Sequence, residues 1–468
     1  MMIHQKKVKG KNKIQMKNEL VRKYNVPGPR YTSYPTVPLW SKIAPHPTDW
    51  NLHVKSMFDS SNTDHGISLY IHLPYCESLC TYCGCTTRIT VNHNVERPYI
   101  KTVLKEWDLY LEVFGGQPMI SELHLGGGTP TFFAPENLAY LIKGILSKSK
   151  LSPDAELGFE AHPNSTTKAH LQTLYDLGFS RLSLGIQDFD PVVQSIVNRV
   201  QSYETVKNVT ELARTIGYNS INYDLIYGLP LQTSESVDDT IRKVSKLRPD
   251  RIAFYSYAHV PWVKPGQRKF TESDLPDDEA KRALYELGKL RLEEIGYKEI
   301  GMDHFALEHD DLFRSFTEGT MHRNFMGYTP QHTKLCIGLG ASAISDTWTA
   351  YGQNLKIVEE YTKCVKNGSL PIFKGHILSQ KELITRKHIT NIMCHFNTSF
   401  TEEDLQLLDI DEITYQMEEL IKDGLVNVSD HGVVVTPTGK PFVRNICMAL
   451  DYKLWQHQPE QQVYSKVV

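Results

Sequence analysis

The chain has 468 residues, too many for one ordinary core, so two or three folding units are expected. Hydrophobic residues make up 40 % and charged residues 22 %, the balance of a globular protein that folds in water. The net charge of −3 gives no global pull towards nucleic acid or anionic membrane, and no apolar run approaches the roughly 18 residues that span a bilayer.

The first segment, "MMIHQKKVKGKNKIQMKNEL", is basic and lacks the apolar core of a secretory signal. It reads as the start of an arm on a cytoplasmic protein. Residues 1–50, which include "GPRYTSYPT" (28–36), form that arm ahead of the first folding unit.

Six β-branched or aromatic runs then follow in order: "ISLYIHL" (67–73), "SELHLGG" (121–127), "ELGFEAH" (156–162), "RLSLGIQ" (181–187), "SINYDLIYG" (220–228) and "RIAFYSYA" (251–258). Stretches of helical period separate them, among them "RPYIKTVLKEWDLYLEVF" and "YETVKNVTELARTIG". Pro135 before Glu136 and Thr166–Thr167 before "KAHL" are helix-start signals. Regular alternation of strand and helix predicts βαβ units and a parallel sheet, either open and doubly wound or curved into an incomplete barrel. In both architectures the working residues sit at the C-terminal ends of the strands. Here those ends carry a cysteine loop, "GGGTP", "EAHP", "GIQDF" and "YDLIYGLP". This α/β unit is expected over residues 51–360.

Residues 361–468 change character. "TRKHITNIMCHF", "TEEDLQLL" and "DEITYQMEELIKDGLV", then "NVSDHGVVVTPTGK", read as helices followed by a small β-wing, a winged-helix-like arrangement. The acidic face at Asp411, Glu412, Glu418 and Glu419 argues against contact with phosphates, so a packing or lid unit is expected, with no nucleic-acid partner.

Half of the eight cysteines, Cys76, Cys80, Cys83 and Cys85, crowd into "CESLCTYCGC" after the first strand. Cys336, Cys364, Cys394 and Cys447 are scattered and read as small buried hydrophobes. A structural zinc site would use two separated C-x-x-C pairs, and a redox pair needs only two thiols. An iron–sulfur cluster, whose irons need thiolates converging from one short loop, fits the density better. The spacing C-x3-C-x2-C supplies three ligands, Cys76, Cys80 and Cys83. Cys85 is poorly placed for the fourth iron, which stays open to a substrate or cofactor.

At these residues the chain resembles the radical S-adenosylmethionine (SAM) enzymes. "YIHLPYCESLCTYCGC", the arm motif "GPRYTSYPT", "HLGGGTPTF", "RLSLGIQDF", "VNR" and "YDLIYGLP" are together similar to the oxygen-independent coproporphyrinogen III oxidases, or coproporphyrinogen dehydrogenases. The resemblance runs from about residue 20 to 450. It implies an incomplete (β/α)6 TIM-like barrel with the arm and the winged-helix-like unit attached. It also implies a 4Fe–4S cluster, two SAM molecules per site, and oxidative decarboxylation of two propionates of coproporphyrinogen III to vinyl groups in anaerobic heme biosynthesis.

Residue by residue, the resemblance implies that Gly127, Gly128 and Thr129 contact SAM, with Glu160 on a ribose hydroxyl or amino group. Tyr70, Tyr82 and Ile344 would line the same pocket. Gln187, Arg199, Asp224 and Ala258 match positions of a second SAM pocket, where arginine suits a carboxylate because it can donate two parallel hydrogen bonds. Arg30 and Tyr31 are candidates for the substrate's propionates. Two departures stand out: His162 replaces an Asp that the family often has, and Gln331–Leu335 reads Q-H-T-K-L where the family often carries Q-G-D-T-D. A monomer served by a reductant such as flavodoxin or ferredoxin is expected. Radical chemistry on another tetrapyrrole (heme breakdown or alkylation) and heme carriage by a chaperone are the rival readings.

Overall fold

In a computed structural model the described residues are 19–456 and 464–467. The basic segment 1–18 lies outside them.

The six expected strands are β1 (Ile67–Leu73), β2 (Met119–Gly127), β3 (Lys150–Ala161), β4 (Arg181–Gln187), β5 (Ser220–Tyr227) and β6 (Arg251–Ser256). They lie side by side in chain order, all parallel. Right-handed crossovers that never reverse direction put every connecting helix on one face, which curls the sheet into a partial barrel rather than a doubly wound layer. The connecting helices are α1 (Pro47–His65) ahead of β1, then α2 (Glu96–Phe114), α3 (Pro135–Leu146), α4 (Lys168–Asp176), α5 (Tyr203–Ile216), α6 (Ser234–Leu247) and α7 (Asp278–Glu294). Pro135 is the first residue of α3, and Thr167 caps α4 by accepting from the His170 N–H.

The sheet continues on both sides. Past β6 comes the antiparallel strand His304–Ala306. Past β1 comes Cys336–Leu339, parallel to it, and then three antiparallel strands ending at Ile372–Ile377, so the sheet runs on beyond residue 360. Between sheet and helices lies the main core. There Leu69, Ile71 and Leu125 pack in one continuous cluster with Ile100, Val103 and Trp107 of α2, each at 0 % exposure.

The C-terminal unit holds the helix Gln380–His395 and a three-stranded sheet ordered Asn397–Ser399, Gly432–Val435, Val426–Ser429. The acidic helix expected over 411–423 is divided at Met417 into Ile410–Gln416 and Glu418–Lys422. The arm does not run free. Leu20, Val21, Tyr24, Tyr31 and Tyr34 are buried in the same core as Ile392, Met417, Val433 and Ile446. Burial of side chains of this kind contributes roughly 1.5–3 kcal/mol each before entropy is counted. No helix among the described residues is long and apolar enough to cross a membrane.

Candidate active site at the barrel mouth

A strand alternates its side chains, so every second residue of β2–β6 faces the inside of the barrel. Register then sets these residues in rows. Glu160, Ser183, Asn222 and Arg251 stand opposite one another across β3–β6. Gly185, Asp224, Ala253 and His304 make the next row. These rows and the loop after β1 enclose a cavity of about 450 Å³.

The cysteine loop hangs over this cavity and is tied to two neighbouring loops. The Thr81 N–H donates to Val197 O at 2.9 Å, and Asn198 Nδ2 donates to Leu79 O at 2.8 Å. From the other side, Gln267 Nε2 donates to Tyr82 O and Lys264 Nζ to Cys85 O, each at 3.3 Å. Cys76, Cys80 and Cys83 all line the cavity. Cys76 Sγ lies 3.3 Å from Thr129 Oγ1, and Arg199 Nη1 donates to Cys80 Sγ at 3.6 Å. Burial pushes the Cys76 thiol up to about 11, whereas the hydrogen bond from Cys85 pulls Cys83 down to about 6.

This donor set fits a cluster better than a single ion. Among the described residues no three Cys, His, Asp or Glu side chains converge closely enough to share one metal ion. Three thiols spread around one loop, beside a cation and a hydroxyl, suit a cube of iron and sulfide several ångströms across.

The strand ends around the loop are close-packed. A Cβ on Gly128 would stand 2.7 Å from Pro74 O, and one on Gly127, at φ 120°, 2.9 Å from the His72 ring. Glycine here lets the ends of β1 and β2 approach and leaves main-chain groups bare towards a ligand. The Gly127 N–H donates to Glu160 Oε2 at 3.3 Å, and Glu160 Oε1 is 3.6 Å from His124 Nε2. Gln187 ends β4 at φ 67°, a left-handed conformation that is costly for a residue with a side chain.

Asp224 accepts from Asn222 Nδ2 at 2.9 Å and from Ser183 Oγ at 3.1 Å. Burial, with the Glu160 charge adding to it, pushes Asp224 up to about 6. Arg199 also donates through Nη2 to Gly185 O, while its Nε is buried without a partner among the described residues.

Of the residues singled out from the sequence, Tyr82, Gly127, Gly128, Thr129, Glu160, Gln187, Arg199 and Asp224 line this cavity with the three cysteines. Tyr70 lies just behind it, its hydroxyl 3.1 Å from His72 Nδ1 and its ring against Gly126. Ala258 follows β6 and accepts from Gln267 Nε2 through its carbonyl. Ile344 packs beside Trp40 and Tyr351, away from the lining. Tyr31 is committed elsewhere, donating to Asp451 Oδ2 at 3.1 Å in the core of the C-terminal unit.

His162 does line the cavity, and burial beside Arg199 lowers it to about 3, so a neutral ring stands there. Gln331–Leu335 lie at the opposite end of β1. There Leu335 O accepts from the Ser68 N–H, and none of the five reaches the cavity. His124, Ser183, Asn222, Tyr255 and His304 were not singled out from the sequence. The polar alternation within "RLSLGIQ" and "SINYDLI" was the signal for Ser183 and Asn222.

Residues 70–244 match the family model described as the radical SAM superfamily. The chain is 36 % identical over 464 residues to the oxygen-independent coproporphyrinogen III oxidase of Pseudomonas aeruginosa, covering 97 % of this chain and 99 % of that one. Identity to the enzyme of that name from Escherichia coli is 37 % over 455 residues, covering 96 % and 98 %. A solved structure of coproporphyrinogen III oxidase from Escherichia coli, described as a radical SAM enzyme, superposes with a TM-score of 0.84 at 35 % identity, over 90 % of this chain and 97 % of that one. With the cysteine loop, the glycine turn and the strand-end polar rows set around one cavity, the chain belongs to the oxygen-independent coproporphyrinogen III oxidases of the radical SAM superfamily.

Proposed function

We propose that this chain converts two propionates of coproporphyrinogen III to vinyl groups by oxidative decarboxylation, giving protoporphyrinogen IX in anaerobic heme biosynthesis. The observation that carries the reading is the extent of the likeness: it covers 97 % of the chain and so takes in the arm and the C-terminal unit as well as the barrel.

The reaction must break an unactivated C–H bond, which no side-chain acid or base does at neutral pH. A 4Fe–4S cluster with SAM supplies, when bound, a radical able to take that hydrogen. Cys76, Cys80 and Cys83 would hold the cluster and leave one iron to SAM. Gly127, Gly128 and Thr129 offer it bare main-chain groups, Glu160 accepts from its ribose or amine, and Tyr82, with Tyr70 just behind the lining, completes that side. A second SAM would lie against Gln187, Arg199, Asp224 and Ala258, and its carboxylate would give a partner to the Arg199 Nε, which is buried and unpartnered among the described residues. The barrel walls hold the reacting groups in line and exclude water.

The protein acts as a cytoplasmic monomer that takes single electrons from a donor such as flavodoxin or ferredoxin, and it uses neither nucleic acid nor membrane. The test is oxygen-free reconstitution with iron and sulfide, then turnover with SAM and coproporphyrinogen. Protoporphyrinogen with two equivalents of carbon dioxide is expected, and none from Cys80→Ala. SAM cleavage without decarboxylation would mean another tetrapyrrole substrate. Stoichiometric heme binding without SAM cleavage would mean a carrier.

A further inference from the structure

A second cavity, of about 50 Å³, lies outside the barrel and shares no lining residue with the first. Alternation places it there. Ala253 and Tyr255 of β6 and Asp224 of β5 face the barrel interior, while their neighbours Ser256 and Tyr227 face outward and line the second cavity. Its remaining walls come from the arm, from α7, from the segment 299–303 that follows it and from the C-terminal unit.

Five cationic side chains, Arg30, Arg282, Lys289, Lys440 and Arg444, surround it against two carboxylates, Glu299 and Asp303. Both carboxylates are engaged: Asp303 faces Arg30 at 3.5 Å, and Glu299 takes Lys289 and the Tyr285 hydroxyl. Arg444 is 4 % exposed and, among the described residues, donates only to main-chain carbonyls, those of Gly28, Pro29, Lys466 and Val467. Among the described residues no carboxylate lies within hydrogen-bonding reach of it, and burial beside Arg30 lowers its pKa to about 10 against the opposing charge of Asp303. Arg282 pairs with Glu286 through Nη2, but its Nε is buried and unpartnered among the described residues. Lys440 lies over the Phe396 ring, 4.7 Å from its centroid. A buried charge whose nearby carboxylate, Asp303, is already shared with Arg30 is costly, and an anion in the cavity would relieve it.

We propose that this junction of arm, barrel and C-terminal unit is a binding site for one small divalent oxyanion of the phosphate type. The volume is several times the roughly 10–15 Å³ that one water needs on the same measure, and so suits one such ion. A planar guanidinium fork and an ammonium are the usual partners of phosphate oxygens. The bound ion would bridge Arg30 of the arm, Arg282 of α7 and Lys440 of the C-terminal unit, fastening the arm to both.

The test uses the full-length protein with its cluster in place. Binding of inorganic phosphate is measured by titration calorimetry at constant ionic strength set with sodium chloride, with sulfate as a second arm. Saturable binding of one phosphate per chain is expected, weakened at least ten-fold in Lys440→Gln and in Arg282→Gln. Lys440 is exposed, so its variant keeps the fold, checked by unchanged cluster absorption. Equal binding by sulfate identifies charge and shape as what is recognised, whereas binding of phosphate alone identifies its protonated oxygen. No saturable binding of either ion, or binding unchanged in both variants, overturns the proposal.

Discussion

Arg199 Nη1 lies 3.6 Å from Cys80 Sγ, so a cation held at the end of β4 donates to a sulfur of the cysteine loop. The placement is fixed: a Cβ on Gly185 would stand 2.7 Å from Arg199 Nη2, so glycine at that position is what admits the guanidinium. A positive charge beside a ligand sulfur favours the more negative, reduced state of a cluster. Arg199→Gln is therefore expected to lower the reduction potential by tens of millivolts, with Arg199→Lys in between, in a titration followed by electron paramagnetic resonance. An unchanged potential in both variants would show that the contact does not tune the cluster.

The proposed ligand set divides the cysteines by role. Cys76→Ala, Cys80→Ala and Cys83→Ala should each lose the cluster, seen as iron content and visible absorption falling close to zero. Cys85 is exposed, and the hydrogen bond it shares with Cys83 pushes its thiol well up, away from the thiolate form that binds iron. Cys85→Ala should keep most of its iron. Loss of iron in that variant as complete as in the other three would move Cys85 into the ligand set.

Gly128→Ala sets a methyl 2.7 Å from Pro74 O and 2.8 Å from Tyr75 O, both main-chain atoms that cannot swing aside. The ends of β1 and β2 must then part, at a cost of roughly 1–3 kcal/mol. Because the cysteine loop leaves β1 at that point, the variant should show both a lower unfolding midpoint and reduced iron incorporation. A midpoint equal to that of the parent would mean the turn has slack the structure does not display.

Glu106 of α2, at 0 % exposure, accepts from the Gly340 N–H at 2.8 Å and from Asn354 Nδ2 and the Tyr361 hydroxyl at 2.6 Å each. Burial outweighs these donors and pushes the carboxyl from its ordinary 4.5 up to about 7. Between those two values the folded chain binds the proton that the unfolded chain has lost. Stability should fall as pH rises through that window, by on the order of 3 kcal/mol, and level off above it. Glu106→Gln should remove this slope in denaturant titrations across the window. An identical slope in the variant would assign the dependence to other groups.

Much of the barrel was legible because its signals are local. "ISLYIHL" and "RLSLGIQ" are bounded by turn residues and coincide with β1 and β4, and the start of α4 is marked by its capping threonine. The cysteine loop announced itself by density alone. Register was not legible. Ser183, Asn222 and Arg251 become neighbours only when three strands far apart in sequence align, and nothing within each strand encodes the offset. The arm's destination was hidden for the same reason, since Tyr31 meets Asp451 only once both units have folded. Ile344 is a further case: its place beside Trp40 and Tyr351 is set by strands distant in sequence, and no local pattern announced it.

In the proposed site, three thiolates from one loop leave an iron free to bind SAM. Electron–nuclear double resonance on the reduced, oxygen-free protein with nitrogen-labelled SAM tests it most directly. A coupling between the cluster and the label on the SAM amine is expected. An intact cluster with no such coupling at saturating SAM, or a protein that assembles no cluster at all, would contradict it.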